Sequence, residues 1–211
     1  MKTLLLTTLS LAFTFTVSGQ QMTSDTNGFT NKAEAKNQMV NGLKDGKWLE
    51  YYNQTGHIVQ TDRDFYRLTM YKAGNPIGTV REYYNSGNLY FERTYANGKL
   101  NGVAKDYYLN GKLKQETPYT DGKVNGMTKA YYKGGSKQNE IPYTMDKLNG
   151  VQKWYYESGV LQYEKPFADG VEDGMDKEYT GSSVLIKATT YQHGKVKEVK
   201  EYDITGKEIK K

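Results

Sequence analysis

A 24-residue period limits what this chain can fold into more than any other feature. Tyrosine pairs fall at Tyr83-Tyr84, Tyr107-Tyr108, Tyr131-Tyr132 and Tyr155-Tyr156, and Gly78, Gly102, Gly126, Gly150 and Gly174 open units at the same step. Gly87, Gly111, Gly135 and Gly159 lie nine residues further on, and an aromatic closes each unit (Tyr71, Tyr95, Tyr119, Tyr143, Phe167, Tyr191). A unit this short gains stability only from its neighbours, so the period implies a stacked, quasi-one-dimensional array.

Within a unit the grammar is that of two strands. Val103–Leu109 and Lys112–Thr120 flank Asn110-Gly111, a dipeptide suited to a two-residue hairpin turn because both turn positions need positive φ. A second, longer turn, as in Asn97–Gly102 and Asp121–Gly126, joins one hairpin to the next. Pro118, Pro142 and Pro166 share one position near the end of the second strand, which predicts a site whose N–H has no ladder partner. Twenty tyrosines and 22 glycines suit pleated, turn-rich structure, and a hydrophobic fraction of 36% excludes a thick two-layer core. The expected fold is all-β: an elongated, single-layer antiparallel meander of tandem hairpins.

With a two-residue turn, Lys105 faces Glu116 and Tyr108 faces Leu113. Tyr108, Leu113 and Tyr119 then share one face, and Lys105, Tyr107 and Glu116 the other. A three-residue loop with a bulge would shift this pairing by one. The pattern recurs as Arg81/Glu92, Lys105/Glu116, Lys129/Glu140 and Lys153/Glu164, a ladder of cross-strand ion pairs worth about 0.2–1 kcal/mol each. A thin sheet cannot bury every tyrosine. One column is therefore expected to be core-like, and the other, Tyr83, Tyr107, Tyr131 and Tyr155, to be the wetter interaction surface beside the charges.

The N-terminus reads differently. Lys2, an apolar run from Leu4 to Val17, and Ser18-Gly19 follow the pattern of a secretory signal, so residues 1–19 are expected to be removed near Gly19-Gln20 and the protein exported. Residues 20–40 are polar and aperiodic and read as a disordered linker. The repeat array then spans 41–211 in about seven units. Its first unit is eight residues longer than the period, with most of the excess in Thr61–Leu68, and reads as a capping repeat or a binding loop.

The repeated pattern of Gly, Tyr-Tyr, Gly, Glu and Tyr over residues 41–211 resembles the MORN repeat, in the bacterial variant grouped as YwqK-like antitoxin components. The resemblance implies a β-hairpin meander that holds partners or membranes, without enzymatic chemistry. Thr180 and Ser183 depart from the pattern in the sixth unit and Glu198 in the seventh, as an end cap would.

The residues themselves argue against catalysis. There is no cysteine, and the two histidines, His57 and His193, lie about five repeats apart, so no catalytic, cofactor-binding or metal site is expected. The net charge of +5 is spread as alternating Lys and Glu, which disfavours nucleic acid. A protein partner is expected first. A cell-wall glycan, suggested by Trp154-Tyr155-Tyr156, and an anionic lipid surface are the alternatives.

Overall fold

A computed structural model describes residues 28–60 and 64–210. After a 3-10 turn at Lys32–Glu34 the chain forms β1 (Gln38–Val40), β2 (Leu43–Tyr52), β3 (Ile58–Val59), β4 (Phe65–Lys72), β5 (Asn75–Tyr84) and β6 (Leu89–Ala96). A regular alternation follows. The two-residue strand β7 (Lys99–Leu100) precedes β8 (Gly102–Tyr107) and β9 (Leu113–Thr120); β10 (Lys123–Val124) precedes β11 (Gly126–Tyr131) and β12 (Lys137–Thr144). Next come β13 (Lys147–Leu148), β14 (Gly150–Tyr155), β15 (Leu161–Ala168), β16 (Val171–Glu172), β17 (Gly174–Tyr179), β18 (Leu185–Gln192) and β19 (Lys195–Glu201). Each long strand pairs antiparallel with the next, and the result is one open all-β meander.

The two kinds of turn are the reverse of the expectation. The turn between units is the tight one: Asn97-Gly98, Asp121-Gly122 and Asp169-Gly170 all have both residues at positive φ, and Thr120 pairs directly with Lys123. At the other end Asn110 is not left-handed. Gly111 alone is, at φ 80°, and its N–H donates to Tyr108 O at 2.8 Å while Tyr108 N–H donates to Lys112 O at 2.8 Å. This longer loop inserts a bulge, so Leu113 faces Tyr107 and not Tyr108, while Lys105 still faces Glu116. The bulge absorbs the extra residue before the register reaches the ladder. Leu113 therefore moves to the face of Tyr107.

The prolines mark a second interruption. Beside β9, pairing passes from Tyr119↔Val124 to Glu116↔Lys129, which skips the position of Pro118. Its carbonyl accepts from Asn125 N–H at 3.0 Å, and the missing N–H faces Gly126, where a Cβ would lie 2.9 Å from the proline ring. Pro142 with Gly150 and Pro166 with Gly174 repeat this contact.

Part of the segment expected to be a disordered linker is folded. Residues 20–27 lie outside the described residues, but Phe29 is 4% exposed and packs with Tyr66 and Leu68, against which Leu49, Tyr51, Met70 and Tyr83 also rest. The polar composition of the segment hid one aromatic anchor, whose burial is worth about 2 kcal/mol. Beyond it, Asn37 turns at φ 48°, donates through Nδ2 to Leu49 O (3.0 Å) and accepts from Leu49 N–H (2.8 Å). Together with β1 and β3 this side chain covers the outer edge of β2.

The lengthened first unit has a clear purpose in the fold. Its hairpin begins normally, with Tyr51↔Val59 and Tyr52↔Ile58, then abandons that edge after two residues. β4 then lies on the other side of β2, where Tyr51 pairs with Tyr66. Residues 61–63 of the Thr61–Leu68 insertion lie outside the described residues; Phe65 onward is strand.

Candidate interaction surface

In each unit, alternation along the first strand and the register to the second sort the side chains into rows that run across the strands. On one face, β8 presents Val103, Lys105 and Tyr107, and β9 presents Pro118, Glu116 and Leu113 opposite them. The other face carries Ala104 and Asp106 opposite Thr117 and Gln115, with Tyr119 beside Gly102. Ala104, Thr117 and Thr128 are buried there, small residues set among larger ones on the same face.

The charge row is more continuous than the four expected pairs. Arg81↔Glu92, Lys105↔Glu116, Lys129↔Glu140 and Lys153↔Glu164 are all register partners within hairpins. Between hairpins Glu92↔Lys105, Glu116↔Lys129, Glu140↔Lys153 and Glu164↔Lys177 are partners as well. Each glutamate thus lies between two cations, and sign alternates strand by strand from Arg81 to Lys177. Of the four expected pairs only two close to ion-pair distance, Arg81 Nε–Glu92 at 2.7 Å and Lys153 Nζ–Glu164 at 3.7 Å, while Lys177 Nζ also lies 3.7 Å from Glu164. Lys105/Glu116 and Lys129/Glu140 are partners in register alone. Lys137 bonds Glu140 at 2.7 Å, and this contact, ahead of the Tyr155 hydroxyl, holds the Glu140 carboxyl below its ordinary range.

The tyrosine columns do not divide into a core column and a wet one. Tyr83, Tyr107, Tyr131 and Tyr155 are half-buried, and so are Tyr84, Tyr108, Tyr132 and Tyr156. Tyr107 donates to Glu92 at 2.9 Å, Tyr131 to Glu116 at 3.3 Å and Tyr155 to Glu140 at 2.8 Å, each reaching back to the preceding unit. Tyr108, Tyr132 and Tyr156 reach forward, donating to the carbonyls of Tyr131, Tyr155 and Tyr179 at 2.7, 2.7 and 3.0 Å. Burial first, and then the glutamate, push the Tyr155 hydroxyl up to about 12 and raise Tyr107 and Tyr131 in the same direction. Tyr83, at the start of the column, instead stacks on Tyr66 at 4.9 Å. A single layer has no interior for either column, so both rings and hydroxyls join unit to unit.

A row the sequence reading did not single out lies beside the charges. Val103, Met127, Val151 and Met175 are 45, 41, 42 and 46% exposed, and each faces Pro118, Pro142, Pro166 or Thr190 across the hairpin. The signal was present, since each follows a unit-opening glycine at the 24-residue step. The equivalent residue of the preceding unit, Thr79, is only 8% exposed, because Gly28 passes over its carbonyl and Phe29 follows. The N-terminal segment thus covers this face over the first units and leaves it open from Val103 onward.

The opposite face holds a shallow cleft of about 270 Å³ between Tyr163, Lys165, Asp176, Lys187 and Tyr191. Trp154 stacks on Tyr163 at 5.6 Å, and Lys165 bonds Glu172 at 2.9 Å and lies 3.3 Å from Asp176, whose carboxyl burial raises. Among the described residues no group of three or more His, Asp or Glu side chains is arranged to hold a metal ion. No helix among them is long and apolar enough to cross a membrane.

Compared with known families, three stretches match the MORN repeat variant: residues 76–97, 100–121 and 148–169. They coincide with hairpins β5–β6, β8–β9 and β14–β15, and the intervening hairpin β11–β12 repeats the same register and bulge. No curated protein matches the chain.

Proposed function

We propose that this MORN-repeat chain is an exported, non-catalytic scaffold whose ladder face holds a protein partner. The observation that carries the reading is the uncovered row of Val103, Met127, Val151 and Met175, edged on one side by alternating charges. Apolar side chains exposed in a row and rimmed by polar ones are the usual form of a protein contact surface. Tyr83, Tyr107, Tyr131 and Tyr155 border the same charges and supply its aromatic margin. An anionic membrane would select a face of one sign, whereas Lys and Glu alternate here.

A second reading, a glycan on the opposite face, is favoured by the Trp154–Tyr163 stack beside the polar cleft. YwqK-like membership belongs to the proposal, resting on the resemblance of the repeats; the antitoxin role attached to that group does not. Export rests on residues 1–19 and is tested by the intact mass of the native protein: a soluble product that retains Met1 refutes it.

Capture from an envelope fraction tests the scaffold reading. The full chain should retain specific proteins, and Met127→Ser with Val151→Ser should lose them with the melting temperature little changed. Equal capture by both forms would place the partner site elsewhere.

A further inference from the structure

The ladder face is complementary to itself. From β8 to β15 its apolar row reads Val103, Pro118, Met127, Pro142, Val151, Pro166, and its charge row reads Lys105, Glu116, Lys129, Glu140, Lys153, Glu164. Consider a second copy laid face to face about a two-fold axis that runs along the strands, midway between β11 and β12. Such an axis maps each row onto itself and exchanges neighbouring strands. Lys129 then meets Glu140 of the partner copy, Lys153 meets Glu116 and Lys105 meets Glu164. In the apolar row Met127 meets Pro142, Val151 meets Pro118 and Val103 meets Pro166. A row of one sign, or an axis through a strand, would set like charge on like charge. Strict alternation on antiparallel strands makes a two-fold contact favourable, because an isologous interface requires a patch to match its own rotated image.

The covered and uncovered parts of the face fit the same arrangement. The Phe29 segment supplies a second layer over the first units, where Thr79 occupies the apolar row. From Val103 onward no described residue of the chain supplies one. We propose that a second copy of this chain does, with two ladder faces stacked as an aligned sandwich over the units from β8 to β15. This inference rests on the scaffold reading of the same surface and names its occupant.

The open rows extend roughly 25–30 Å across the strands and about 14 Å along them, on the order of 400 Å² of sheet per copy. The two copies together would bury on the order of 800 Å², the class of weak and transient encounters, so dissociation in the micromolar range or weaker is expected.

Sedimentation velocity on the full chain over a concentration series tests this. The expected result is a reversible monomer–dimer equilibrium, with Met127→Ser plus Val151→Ser remaining monomeric while keeping the parent circular dichroism spectrum. A sharper test uses two charge variants. Lys129→Glu with Lys153→Glu makes the middle of the row all acidic, and Glu116→Lys with Glu140→Lys makes it all basic. Each alone should fail to self-associate, and the two mixed should form a heterodimer. If the charge variants fold poorly, the serine pair decides alone, since its substitutions are at exposed positions. A wild-type chain that stays monomeric throughout, or a dimer indifferent to the serine pair, overturns the proposal. Stripe-dependent capture of another protein by a strictly monomeric chain would leave the scaffold reading standing and remove the self-association.

Discussion

Left-handed backbone is where individual residues show most strain. Three between-unit turns place Asn or Asp before Gly, two place Ala73 or His193 there, and one uses Met145-Asp146, at φ 49° and 72°. Asp146 has a compensating role, since its carboxylate accepts from Val124 N–H at 2.7 Å. Met145 is exposed, and no hydrogen bond or ring contact of its side chain offsets the cost of an L-residue in that region. Met145→Asn is expected to raise stability by about 0.5–1 kcal/mol, read as a higher urea midpoint at unchanged slope. The tyrosine hydroxyls predict a pH limit. Tyr155 has its folded value raised to about 12, and Tyr107 and Tyr131 are raised likewise. The folded state therefore holds these protons more tightly, so their contribution is complete below pH about 10 and is lost as pH rises towards 12. Melting temperature should fall over that window, and Tyr107→Phe with Tyr155→Phe should flatten the fall. An unchanged slope in the double variant would exclude these hydroxyls as its source.

Among elements, the N-terminal edge is the one most elaborately closed. An exposed strand edge invites pairing with other chains, and β2 meets this with β1 at one end, β3 at the other and the Asn37 amide between them. Asn37→Ala removes two hydrogen bonds to Leu49 and places alanine at φ 48°, for an expected loss of about 1–3 kcal/mol. Amide exchange of Leu49 should rise well above that of Leu113 in mid-array. Equal protection in variant and parent would mean that β1 and β3 hold the edge without it. The opposite edge, β19, is closed only at its end, where Ile209 N–H donates to Glu201 O at 2.8 Å. Along the rest of β19 the charges of Lys195, Lys197, Glu198 and Lys200 discourage pairing.

At the scale of the whole molecule, the same register recurs at each joint. Glu92↔Lys105, Glu116↔Lys129, Glu140↔Lys153 and Glu164↔Lys177 are superposable steps, and the Tyr-to-Glu and Tyr-to-carbonyl bonds repeat across successive joints. Stability should then be close to a sum of units and interfaces. Deleting 102–125 joins Asn101 to Gly126 in register and should leave a shorter folded sheet with a cooperative melt. Deleting 102–113 removes one strand with its turn, reverses the direction of all that follows and should misfold. Indistinguishable circular dichroism and melting for the two deletions would rule out the two-strand unit.

The sequence by itself determined the hairpin unit, its period, its direction and the pairing of Lys105 with Glu116, because these follow from local spacing and a pleat of two. It could not decide which turn was the tight one. Asn110-Gly111 and Asp121-Gly122 carry nearly the same local signal, and the choice depends on how each twists into the neighbouring hairpin, which in turn moved Leu113 to the other face. The half-burial of both tyrosine columns was equally out of reach, since their hydroxyls bond to groups 15 or 23 residues away that only stacking brings near. Phe29 looked like one aromatic in a polar stretch until the fold placed Tyr66 and Leu68 beneath it. The open row from Val103 to Met175 became a surface for the same reason: exposure depends on what covers a residue, and a single-layer sheet receives its cover from distant chain or from another molecule.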